Sequence, residues 1–139
     1  MELYRFDHRV KLKLPFFISY IKAGFPSPAD DYIEKGLDLN ELLVRHEAAT
    51  YFVRASGDSM MGAGIHDGDI LIVDRSLEPQ KGDIVIAAVN GELTVKRFDR
   101  SGDAVYLHSA NERYKPIRVL PEMEFAVWGV VTYVIHRAS

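Results

Sequence analysis

The chain has 139 residues, 47% of them hydrophobic and 27% charged, with a formal net charge of −3; these are the proportions of one compact soluble domain, long enough to bury a core without staples. It has no cysteine, which excludes disulfides, thiol catalysis and thiolate metal sites. No apolar run reaches the roughly 20 residues of a membrane span, and the acidic balance argues against a dedicated DNA-binding domain.

The first 23 residues carry Arg5, Arg9, Lys11, Lys13 and Lys22 against Glu2 and Asp7, while the rest of the chain is net acidic. A basic arm docking on an acidic body is one reading, and a chance fluctuation over a short window is the other. Val10 to Phe17 alternates apolar and polar residues until Pro15, as an extended or edge-pairing segment does. Phe16, Phe17, Ile18, Tyr20 and Ile21 are too apolar for a free tail. The N-terminus lacks the basic-then-apolar order of a signal peptide. With the absence of thiols, this fits a cytoplasmic protein.

Ala23-Gly24 breaks the pattern, and Gly24-Phe25-Pro26-Ser27-Pro28 reads as a hinge. Ser27 is placed to cap a short helix that begins at Pro28, carries Asp30 and Asp31 in its first turn, and ends at Gly36. Asp38-Leu39-Asn40-Glu41 resembles a capping box and opens a second short helix through about Arg45.

From Tyr51 onward the pattern is β. Thr50–Ala55, Asp69–Val73, Ile84–Val89, Leu93–Phe98, Ala104–His108 and Phe125–Ile135 are rich in β-branched and aromatic residues. Asn90-Gly91 is a strong hairpin signal, and the pairs Gly68-Asp69 and Gly82-Asp83 mark turns entering strands. The expected fold is mainly β: a small twisted β-sandwich or partly open barrel, with two short N-terminal helices and an extended N-terminal arm.

Ser56-Gly57-Asp58-Ser59-Met60 follows the first of these strands. A serine where a strand yields to a tight Gly-containing turn exposes its hydroxyl beside backbone N–H groups, as a nucleophile next to an oxyanion hole requires. The competing reading is that Ser, Gly and Asp simply make turns. By alternation Thr94, Lys96 and Phe98 share one face of their strand. A lysine desolvated there loses its preference for the charged form and can take a serine proton; otherwise it snorkels to solvent or protects an edge. His8, His46, His66, His108 and His136 sit in no recognisable motif. His66 lies near Asp67 and Asp69, but nothing pairs with it at ligand spacing, so no metal or cofactor is expected. Met60, Met61 and Trp128 read as packing residues, and Asn111-Glu112-Arg113 as a solvated loop.

Taken together, the stretches Ala23-Gly24-Phe25-Pro26-Ser27-Pro28-Ala29, Asp38-Leu39-Asn40, Ala49–Val53, Ser56–Met60, Asp67-Gly68-Asp69, Gly82–Val89 and Thr94-Val95-Lys96 resemble the UmuD family of self-cleaving mutagenesis proteins, the MucA and ImpA type included. More distantly they are similar to LexA-type repressors. The resemblance implies a fold of the LexA C-terminal-domain type. It implies Ser59 as nucleophile, Lys96 as general base, and the Ala23–Gly24 peptide bond as the one the protein cuts in itself. It implies an oxyanion hole of backbone N–H groups around Asp58 and Ser59. A cleavable arm, 1–23, would precede a catalytic and interaction domain, 24–139. The implied partners are a second copy of the chain, a RecA filament on single-stranded DNA that stimulates cleavage, and a UmuC-like Y-family polymerase subunit. The trimmed form would support translesion synthesis in the SOS response.

A LexA-like self-cleaving repressor is the alternative. It needs a DNA-reading domain, and the residues before Ser59 hold prolines at 15, 26 and 28 and no convincing helix-turn-helix. Direct sequence-specific DNA binding is therefore not expected. A protease acting on other proteins would want a membrane anchor, which is not seen. A β interaction module with inert Ser59 and Lys96 is the non-catalytic alternative.

Overall fold

The computed structural model describes residues 2–5, 13–17 and 34–138. Two units emerge, one of residues 7–45 and one of residues 1–6 with 46–139. The Ala23–Gly24 bond lies outside the described residues.

In the smaller unit β2 (Lys13–Phe17) pairs antiparallel with β3 (Glu34–Asp38), Pro15 standing opposite Gly36. α1 (Leu39–Leu43) follows at once, and the Asp38 carboxylate accepts from the N–H of Asn40 at 2.9 Å. The capping signal is thus realised, though the helix ends two residues earlier than Arg45. The other expected helix, 28–36, falls mostly outside the described residues. Its expected last turn is a correction: Glu34, Lys35 and Gly36 are strand, because pairing with β2 satisfies their main chain and overrides a local capping signal.

In the larger unit β1 (Glu2–Arg5), β4 (Thr50–Arg54), β5 (Ile70–Asp74), β6 (Ile84–Val89), β7 (Glu92–Ser101), β8 (Ala104–His108), β9 (Ile117–Arg118) and β10 (Phe125–Ile135) form one open antiparallel sheet of order β1-β4-β5-β10-β6-β7-β8-β9. β1 and β9 were not legible in the sequence, the latter being only two residues long. The expectation of a mainly β fold holds. β10 reaches two partners because it is bulged. Its register slips between Val127 and Gly129 against β6, and between Val131 and Tyr133 against β5. Gly129 is required there: a Cβ would stand 2.5 Å from the Val73 side chain.

The β6–β7 hairpin closes on Asn90 and Gly91, both with left-handed φ (49° and 83°), as a two-residue primed turn demands. The two Gly-Asp turns share one design. In His66–Asp69 and Gln80–Asp83 the last aspartate accepts from the N–H of the first residue at 2.8 Å. Both strand faces of β6 are buried, which divides the core in two. Ile86 joins Val53, Leu71, Val73, Val95, Met60 and Ile65; Val85 and Ala87 join Phe98, Leu107 and Val130 on the other side. Each fully buried Leu, Ile or Phe here stabilises the fold by about 1.5–3 kcal/mol.

Candidate active site

Three pieces of backbone bring Ser59 to Lys96. β4 ends at Arg54, and the Ala55 amide and carbonyl bond to Asp69 and Gly68, so the segment that follows leaves the sheet at a fixed point. Gly57 then takes φ +90°, a conformation that suits glycine, and its N–H donates to the Asp67 carboxylate at 2.8 Å. Beyond Ser59, Met60 is driven into the core at 3% exposure, and a single 3-10 turn, Met61–Ala63, closes the loop. Met61, by contrast, is exposed rather than packed.

Lys96 comes from the middle of β7, opposite Val85 and one residue beyond buried Val95. It is only 7% exposed, with its ammonium nitrogen 3.1 Å from Ser59 Oγ. Burial pushes its pKa below the ordinary lysine value. The snorkelling alternative does not describe this side chain. Lys96 also has the ring of Tyr114 at 5.8 Å, the outer limit of a cation–π contact.

The loop that read as solvated, Asn111 to Arg113, is indeed open at Glu112 and Arg113, with Asn111 half-buried, yet it also holds the site. The Asn111 amide donates to the Asp58 carbonyl at 3.0 Å, the Tyr114 hydroxyl donates to the Asp58 carboxylate at 2.6 Å, and the Arg113 guanidinium lies 3.7 Å from it. The Asp58 hydrogen bond pushes the Tyr114 pKa up. Gly62 and Ala110 lock the same two loops: Gly62 N–H donates to Ala110 O at 2.7 Å, and Ala110 N–H to Ser59 O at 2.8 Å. A Cβ on Gly62 would meet that Ala110 oxygen at 2.5 Å. Sequence gave no sign of this, because Asp58 and Asn111 are 53 residues apart.

The consequence is directional. A trans peptide points its C=O and N–H to opposite sides. Asn111 and the Met61 N–H hold the Asp58 carbonyl, so the N–H of Ser59 faces away from them. Among the described residues the N–H groups of Asp58 and Ser59 have no hydrogen-bond partner. A cavity of about 120 Å³ adjoins Ser59, bounded by Ala55, Gly57, Met60, Ile65 and Leu93–Val95. Of its lining residues Met60, Ile65 and Val95 are buried, and polar atoms supply most of the surface open to the cavity.

The histidines lie elsewhere. His46 contacts the Asp74 carboxylate at 2.5 Å and His108 lies 3.4 Å from Asp99. His8 is outside the described residues. His66 corrects the sequence reading. It does find partners at ligand spacing, Asp69 and, through space, His136. Burial alone would raise the pKa of Asp69, but hydrogen bonds from the His66 N–H and from His136 outweigh it and hold the carboxyl below its ordinary value.

These features define a mainly β domain with a serine hydrogen-bonded to a buried lysine beside a small cavity. A model of the peptidase S24-like family matches residues 15–132. The chain is 46% identical to Protein ImpA of Salmonella typhimurium over 129 residues, covering 88% of this chain and 83% of that one. It is 47% identical to Protein SamA of Salmonella typhimurium strain LT2, covering 92% and 89%. It is 42% identical to the LexA repressor of Colwellia psychrerythraea, covering 85% of this chain and 56% of the repressor. The chain belongs to the peptidase S24 family, among its UmuD-like SOS mutagenesis members.

Proposed function

We propose that the chain is a self-cleaving serine endopeptidase that cuts its own Ala23–Gly24 bond. The observation that carries this reading is the 3.1 Å contact between Ser59 Oγ and the nitrogen of a buried Lys96. Neutral Lys96 takes the Ser59 proton as Oγ attacks the Ala23 carbonyl carbon. The oxyanion that forms is received by the N–H groups of Asp58 and Ser59. As the C–N bond breaks, the lysine returns its proton to the departing Gly24 amine, leaving Ala23 acylated on Ser59. Water, deprotonated by Lys96, then releases the acid and restores the serine. A cavity of about 120 Å³ suits a methyl side chain such as that of Ala23, and glycine after it lets the backbone approach closely.

Cleavage changes the surface as well as the chain. Both β1 and β2 lie in 1–23; β2 falls within the segment Val10–Phe17 that read as extended or edge-pairing, whereas β1 was not foreseen. Release of 1–23 removes β1 from β4 and uncovers the main-chain edge of β4. It also removes a net positive segment from an acidic body. In this reading the trimmed form, a homodimer, is the accessory subunit of a UmuC-like error-prone polymerase, and a RecA filament on single-stranded DNA promotes the cut in the cytoplasm.

Mass measurement on purified protein incubated at alkaline pH tests the chemistry. The expected product begins at Gly24 and is absent from Ser59→Ala. A product with another start refutes the site, and an intact chain at every pH refutes self-cleavage. The LexA match supports a second reading, a self-cleaving repressor. Sequence-selective operator binding by the full-length chain would favour it over the first.

A further inference from the structure

The serine and lysine leave His66, Asp69 and His136 without a role. The fold assembles these three at one end of a strand pair. β5 and β10 run antiparallel with Ile70 opposite Ile135, so Asp69 and His136 follow as the next residues of the same register. His66 opens the turn that Asp69 closes, with its N–H bonded to Asp69 Oδ2 at 2.8 Å. That bond fixes the carboxylate, which is 3% exposed.

One donor atom from each residue lies within 4.8 Å of the others. His136 Nδ1 stands 2.6 Å from Asp69 Oδ1, and His66 Nδ1 stands 3.8 Å from Asp69 Oδ2. The two imidazole rings face one another with centroids 4.6 Å apart. A tetrahedral ion with bonds of about 2.0–2.2 Å holds its donors roughly 3.4 Å apart. These two separations, to different oxygens of Asp69, fall on either side of that value, and all three donors lie within 4.8 Å, so shifts of up to about 1.4 Å close the set. His66 Nδ1 is buried yet has no hydrogen-bond partner among the described residues. A metal supplies what that lone pair lacks. The imidazoles themselves are 43% and 49% exposed, which leaves a path in and room for a water ligand.

We propose that His66, Asp69 and His136 bind one divalent transition cation of the zinc class. Two imidazole nitrogens and one carboxylate suit zinc, nickel or copper; magnesium and calcium want oxygen ligands throughout. The ion ties the end of β10 to the turn His66–Asp69. The same turn holds Gly57 through Asp67, and Ile65 before it lines the cavity beside Ser59. Occupancy therefore stiffens the segment that carries Ser59 without touching it.

Calorimetric titration of the tag-free, chelator-stripped full-length chain with zinc chloride tests this. The expected result is one zinc per chain, no magnesium binding under the same conditions, and affinity at least tenfold weaker in His66→Ala and in His136→Ala. His108→Ala, which leaves the cluster intact, should bind as wild type does. Ser59→Ala should also bind as wild type does, which separates this proposal from the cleavage reading. Cobalt chloride gives a readout that needs no variant: a visible d–d band from a four-coordinate nitrogen–oxygen site. Absence of zinc binding, wild-type affinity in either histidine variant, or a cobalt spectrum unchanged from the hydrated ion each overturns the proposal.

Discussion

Lys96→Met separates the two things that burial does to this lysine. Burial lowers its pKa, which makes the amine available as a base. The same burial penalises the folded state whenever the amine is charged. At neutral pH each unit by which the folded pKa falls below the unfolded one costs about 1.4 kcal/mol. Against that stands one hydrogen bond to Ser59, worth about 1 kcal/mol net. Methionine has nearly the length of lysine, fills the same space and carries no charge. The variant should therefore equal or exceed wild-type stability at pH 7, each kcal/mol appearing as about 3–4 °C in Tm for a chain of this size.

The pH dependence gives the sharper test. The folded pKa lies below the ordinary 10.5. As pH rises through it, the folded amine loses its proton while the unfolded chain still binds one. Wild-type stability at this site thus improves with pH, up to the unfolded value of about 10.4. Any advantage of Lys96→Met should shrink across that window. Wild-type cleavage should accelerate about tenfold per pH unit below the folded pKa and level within that window, while Lys96→Met stays uncut. Thermal melts at about pH 6 to 10, with mass measurement of each sample, read both effects. A variant destabilised by more than about 2 kcal/mol at every pH would show that Lys96 is not burdened by burial. Cleavage by the variant would remove Lys96 as the base.

Four further outcomes follow from the geometry. Ser59→Ala should abolish cleavage with a Tm within about 4 °C of wild type, since it removes one hydrogen bond and little volume. Asn111→Ala should slow cleavage about 10–100-fold in a folded protein by releasing the Asp58 carbonyl and with it the Ser59 N–H; an unchanged rate at alkaline pH would show that Ser59 N–H needs no such anchor. Gly62→Ala should destabilise by about 1–3 kcal/mol in denaturant melts, because its Cβ meets backbone rather than a yielding side chain. Gly24→Val should slow cleavage strongly while melting as wild type does, since bulk at that position hinders approach to Ser59; equal rates would place the cut elsewhere.

What the sequence disclosed was whatever a few neighbouring residues decide. Asn90-Gly91 dictates a primed hairpin by itself, and that hairpin sets Lys96 opposite Val85. Gly68 and Gly82 each hold the left-handed position of a turn closed by the next aspartate, so the Gly-Asp pairs were sound strand-entry marks. Asp38 capped a helix as its side chain requires. Local rules failed where a distant strand competed. Glu34–Gly36 offered a helix end and were taken into β3 by pairing with β2, and β1 was hidden because its partner lies some fifty residues on.

The site divides along the same line. Ser59 and Lys96 were each legible as a possibility, because a serine after a strand and a lysine within one are local facts. Their contact was not, since it spans 37 residues and depends on the path of β7 beneath the Met60 loop. The residues that hold the serine were invisible for a stronger reason. Asn111 acts on a carbonyl, Ala110 on another, and Gly62 by lacking a side chain; none of these roles needs a chemically distinctive group. A nucleophile must be a particular residue type, whereas its anchor needs only a donor at the right point in space. His66 shows both halves at once. Its side chain announced a possible ligand, and only the β5–β10 register could supply His136 to meet it.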